Sequence, residues 1–184
     1  MQIPYPQLKI FLFIVLMVVF HSSCKKEDNS SLTGCCGNPG INEPVGNGHI
    51  YVPNIFTPNA DGINDRLFIS GDSIMIVKSL QIHNKSGVLV YEALDLAAND
   101  FVHSWDGTVN GIVEEGLYSI NITVISENGV IQNSAGEVCN YPCEDLISGE
   151  EPITITNCHF PTQSDNGHFN SNIPPGEPSG CFEY

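Results

Sequence analysis

Positive charge is scarce in this chain. Of 184 residues only 6 are Lys or Arg, against 21 Asp or Glu, so the formal charge is −15. Binding to nucleic acid draws on clustered cations that displace phosphate counterions, so nucleic acid is excluded as a partner. Electrostatic docking on anionic lipid is disfavoured for the same reason. Tryptophan occurs once, at Trp105, and a carbohydrate-stacking role there would want more exposed aromatics nearby. Trp105 is therefore read as a core residue, with Asp106-Gly107 turning the chain after it. The Gly-x-Ser-x-Gly elbow of hydrolases and a phosphate-cradling glycine loop are both missing. Glu114 and Glu115 are adjacent in a predicted loop, whereas a glycosidase needs two carboxyls facing each other across a sugar. An enzyme is not expected. Long apolar runs are missing too: residues 10–20 are continuously apolar, but eleven residues are short for a bilayer span.

That run instead fits the apolar region of an export signal over residues 1–23. Ser22 and Ser23 follow it and lead into Cys24. This order reads as a lipoprotein-type signal, with Cys24 as the lipidated N-terminus and a membrane attachment through lipid. Ordinary secretory cleavage near Ser23 and an uncleaved anchor are the alternatives. In each case the chain leaves the cytoplasm, as an outer-membrane lipoprotein or at the cell surface. Six further cysteines remain: Cys35, Cys36, Cys139, Cys143, Cys158 and Cys181. An even number in an exported chain predicts disulfides rather than a zinc site drawn from Cys139, Cys143, Cys158 and His159. Adjacent Cys35 and Cys36 are poor partners for each other. The simplest arrangement ties both to the C-terminal cysteines, and the connectivity stays open.

Residues 24–48, rich in Ser, Asn, Gly and Pro, read as a flexible tether. Period-two alternation begins at residue 49. Strands are expected at 50–52, 66–69, 74–83, 88–91 and 117–125, with a return strand starting at Val130-Ile131. Asn84-Lys85-Ser86-Gly87 and Glu127-Asn128-Gly129 supply turn chemistry. Residues 94–98 read as a short helical turn. About seven short strands without a long amphipathic helix predict an all-β, immunoglobulin-like antiparallel β-sandwich over residues 49–138. Residues 139–184 form a Cys-rich irregular tail that needs its cross-links to hold shape.

One stretch stands out: Val52-Pro53-Asn54-Ile55-Phe56-Thr57-Pro58-Asn59-Ala60-Asp61-Gly62-Ile63-Asn64-Asp65. Two prolines withhold N–H donors, so Asn54 to Thr57 is expected at a sheet edge or bulge. Asn59, Asp61, Asn64 and Asp65 then gather four oxygen-bearing side chains around Gly62. Such a set forms Asx turns on its own backbone, the favoured reading, or a calcium loop. With Trp105-Asp106-Gly107, Asn110-Gly111 and Gly116-Leu117-Tyr118, the stretch resembles the gliding-motility-associated C-terminal domain family, a type B sorting module of type IX secretion. Leu80 to Gly87 resembles that family as well. In this family Ala60 is commonly Gly, a mild change if the backbone there has negative φ. The resemblance implies a non-enzymatic surface protein acting in secretion, surface attachment or gliding-associated assembly, with secretion or envelope proteins as partners. The alternative is an extracellular calcium-dependent module that binds glycan or protein.

Overall fold

The computed structural model describes residues 35–143, 153–154, 157–177 and 182–183. The expected signal peptide 1–23, the lipidation candidate Cys24, the tether up to residue 34, and Cys181 lie outside the described residues.

The first strands are β1 (Ile41–Val45), β2 (Gly48–Val52), β3 (Ile55–Phe56) and β4 (Ser70–Asp72). Next come β5 (Ile74–His83), β6 (Leu89–Leu96), β7 (Thr108–Val109) and β8 (Ile112–Val113). The long strands β9 (Gly116–Ser126) and β10 (Ile131–Asn140) close the sandwich. Short strands β11 (Ile153–Thr154), β12 (Ser164–Asp165), β13 (His168–Phe169) and β14 (Phe182–Glu183) belong to the C-terminal part. One sheet has the order β1-β2-β4 and the other β3-β10-β9-β5-β6. Both are antiparallel except where β3 runs parallel to β10.

The two sheets share one core because their inward residues alternate. Along β9, Tyr118, Ile120, Ile122 and Val124 are buried at every second position, as a strand with one face on a core requires. In β5 both Val77 and Leu80 are buried although three residues apart. The register of β5 on β9 shifts between Val77 and Ser79, and this bulge resets which side chains point inward. From the other sheet, Ile41, Val45, Ile50 and Val52 complete the layer. Trp105, 1% exposed, sits against Phe56 and edge-on to Tyr118, with ring centroids 5.4 and 5.0 Å away. Its indole N–H donates to the Thr108 carbonyl at 3.1 Å, which satisfies the one polar atom it carries inward.

Three local expectations differ from the structure. Residues 41–48, assigned by composition to the tether, are β1 and its turn, paired residue for residue with β2. The strand expected at 66–69 is only a single bridge from Leu67 to Trp105, and β4 forms at Ser70–Asp72 instead. The helical turn expected at 94–98 is absent, because β6 runs extended to Leu96 along β5. There the ladder outweighs the helix preference of Leu and Ala, a weak local term.

A second, smaller core joins the two ends of the described chain. Cys36, Ile55, Cys139, Tyr141, Cys143, Cys158, Phe160 and Phe182 form it. Cys35 is bonded to Cys139 and Cys36 to Cys158, at sequence separations of 104 and 122. Cys143 is disulfide-bonded as well. The adjacent cysteines thus reach two different strands of chain, and residues 157–177 are fastened onto the sandwich.

Candidate functional site

The Asn- and Asp-rich stretch begins where β2 ends. Pro53 offers no N–H, and the chain crosses from the first sheet to the edge of the second, where β3 lies beside β10. The Cys139 N–H donates to the Asn54 carbonyl at 2.8 Å and the Tyr141 N–H to the Phe56 carbonyl at 3.1 Å. The Thr57 N–H then donates to the Asn64 carbonyl at 2.8 Å, which closes residues 57–64 into a loop.

Inside that loop the acids turn to their own backbone. Asp65 Oδ1 accepts from the Asn59 and Ala60 N–H groups, and its Oδ2 from Gly62. Asn59 Oδ1 accepts from the Asp61 N–H and Asp61 Oδ1 from the Ile63 N–H. The Asn59 and Asp61 bonds are Asx turns, in which a short side chain bonds the backbone two residues on, while Asp65 gathers the N–H groups of the loop before it. Asn64 faces the other way, toward residues 162–177. The four oxygen-bearing side chains named as a calcium set therefore do not converge on one point. Among the described residues, no group of three or more His, Cys, Asp or Glu could hold a metal ion. In this arrangement the four side chains do not form a calcium set.

The polar groups of the stretch that do converge meet the C-terminal segment. Asn54 is only 2% exposed. Its backbone N–H donates to the His159 carbonyl at 3.1 Å, while its Oδ1 accepts from the His159 N–H at 2.7 Å. Its Nδ2 donates to the carbonyls of Asn38 and Asn157. Asn54 thus reads the segment at 157–159 much as a neighbouring strand would. Asn64 Oδ1 accepts from the Thr162 N–H, and its Nδ2 donates to the Pro175 carbonyl and to Glu177 Oε1. Thr57 Oγ1 donates to the same Glu177 oxygen at 2.6 Å. Behind them, the Tyr51 hydroxyl donates to the Phe160 carbonyl at 2.9 Å.

Electrostatics differ along this contact. Glu177 is 6% exposed. Burial raises its carboxyl above the usual glutamate range, the Thr57 and Asn64 hydrogen bonds pull against that, and Asp61 and Asp65 add to the rise. Burial alone lowers His159, whose ring stacks on Phe169 with centroids 3.8 Å apart. On the adjacent sheet, His49 stacks on His168 at the same distance and its Nδ1 lies 2.7 Å from the Gly167 carbonyl.

The later residues that accompany the stretch are also brought together. Asp106 Oδ1 accepts from the N–H and hydroxyl of Thr108, and Gly107 passes Asn140 closely. Asn140 Nδ2 donates to the carbonyls of Gly107 and Glu114. The Tyr118 hydroxyl donates to Glu114 as well. Sequence reasoning did not single out Asn54, Thr57 or Asn140 for these contacts. Nor did it single out Glu177. The one available signal was polarity beside Pro53 and Pro58, where ladder bonds are withheld.

No curated protein matches the chain. Residues 50–138 match the family described as CHU_C Type IX secretion signal domain, a span running from within β2 to within β10. It includes the whole Asn- and Asp-rich stretch and the Trp105 corner, and it stops short of residues 157–177. The fold and the motif thus agree with the match: residues 50–138 are similar to the CHU_C Type IX secretion signal domain, which suggests a cell-surface or secreted protein associated with that secretion machinery.

Proposed function

We propose that this protein is a non-enzymatic cell-envelope lipoprotein, anchored by lipid on Cys24, whose β-domain serves in secretion, surface attachment or gliding-associated assembly. The observation that carries the reading is the coupling of a type IX secretion signal domain at 50–138 to an N-terminal apolar run that ends in Ser22-Ser23-Cys24. The domain supplies an association with secretion or envelope proteins. The apolar run supplies an exit from the cytoplasm and a thiol at the position where lipid is attached. Its outer surface meets protein partners, and the acidic balance of the chain keeps it off anionic lipid except through the anchor.

Intact-mass analysis of the protein taken from its native envelope tests this reading. A diacyl or triacyl mass on a chain starting at Cys24 is the expected result. A chain without lipid that starts elsewhere would replace the anchored reading with a secreted one.

A further inference from the structure

The matched domain ends at residue 138, yet three of its buried polar side chains are satisfied by chain beyond that point. All the side-chain bonds found for Asn64 go to Thr162, Pro175 and Glu177. Two of the three found for Asn54 go to Asn157 and His159 and the third to Asn38, also outside the matched span. The Thr57 hydroxyl reaches Glu177 at 2.6 Å, with only a 3.5 Å contact to the Ile63 carbonyl inside the domain. A buried amide without partners is strongly destabilising. A domain whose own residues leave these groups unmatched therefore presents them outward, as donors and acceptors waiting for another backbone.

The pattern they offer is specific. Asn54 presents an N–H and a side-chain oxygen to one residue, the exchange an edge strand makes with an added strand. Thr57 and Asn64 offer two neutral donors to one carboxyl oxygen.

From these contacts we infer that the surface formed by Tyr51, Asn54, Thr57 and Asn64 is a docking site for a peptide that carries a carboxyl group, and that this chain fills it with its own residues 157–177. The segment is a self-ligand, and the Cys36–Cys158 disulfide keeps it seated. A peptide from a partner competes only when that bond is open. While the bond is closed, the tethered segment holds a high effective concentration over the site. This inference stands apart from lipidation at Cys24.

The test uses the full mature chain carrying Cys36→Ser, Cys158→Ser and Glu177→Ala, which weakens the seated segment without shortening the protein. The probe is a fluorescein-labelled peptide of residues 157–177 with Cys158→Ser. Saturable anisotropy is expected with this variant, with at least tenfold weaker binding once Asn64→Ala is added. The oxidised parent chain should not bind. Equal binding to the oxidised parent, binding indifferent to Asn64→Ala, or no binding by a folded variant would overturn the inference.

Should the variant fail to fold, hydrogen exchange on the parent chain decides instead. Reduction is expected to speed exchange of the His159 and Thr162 amides at least tenfold while those of β9 stay protected. Unchanged exchange at both places, or simultaneous loss at both, would show that the segment is an integral part of the domain.

Discussion

Ala60 lies at φ 64°, in the left-handed region where a Cβ crowds its own backbone. The mild reading of Ala in place of Gly required a negative φ, so here it gives way to strain of about 1–2 kcal/mol. Ala60→Gly relieves that strain but frees the unfolded chain, which takes part of the gain back. The expected net is a stabilisation of about 0.5–1 kcal/mol, read as a higher urea midpoint at unchanged slope. Glu177 invites a pH test. Its folded pKa is raised by burial, so its favourable contribution is complete below the ordinary glutamate range and is lost as pH rises through the raised value. Glu177→Gln keeps an acceptor for Thr57 and Asn64 without the buried charge. It should raise Tm at pH 7.5, and the difference from the parent should vanish near pH 4. His159 works in the opposite sense. Its pKa is lowered by burial, so its contribution is present at neutral pH and is lost as pH falls below the usual histidine range.

At the scale of elements, the Trp105 corner depends on one close approach. Gly107 has φ 78°, and a Cβ placed there would lie 2.6 Å from Asn140 Nδ2. Gly107→Ala would both strain the turn and displace the amide that bridges Gly107 and Glu114. A loss of about 2–3 kcal/mol is expected by chemical denaturation. How much of this architecture was legible depended on period. The alternating apolar residues of β9 and the Asn-Gly turns fix the central hairpins in the sequence itself. β1 left little trace, because Ile41–Val45 carries Asn, Glu and Pro between its two buried ends and gains its shape from β2. Leu94 misled in the other direction: it is 64% exposed on β6, placed by ladder bonds and not by apolar burial. The contacts of Asn54 and Asn64 with the C-terminal segment were not legible at all. They join polar side chains to carbonyls about a hundred residues away, and such bonds impose no periodicity on either partner.

For the whole molecule, charge sets the response to solution. With a formal −15, self-repulsion opposes the folded state and salt relieves it. Tm should therefore rise with ionic strength. Because the Asp65 oxygens and Asp61 Oδ1 accept from backbone N–H groups and Asp61 Oδ2 from the Asn59 side chain, calcium and magnesium chloride at equal ionic strength should give equal shifts. A larger shift with calcium, growing with its concentration, would point to a specific site. The paired cysteines carry a mechanical consequence. Tension entering before Cys35 and leaving beyond Cys158 passes from Cys36 straight across the sulfur bridge. The sandwich hangs inside the loop and bears none of that load. Pulled from those two sides, the oxidised protein should extend without a sandwich-unfolding event. Opening both bridges together with the bond at Cys143 should release a further length of about 40 nm, from the sequence separation of 122 between Cys36 and Cys158. A protein fixed at one end to an envelope and gripped beyond residue 158 would thus behave as a short inextensible link, and its β-domain would keep its shape under strain.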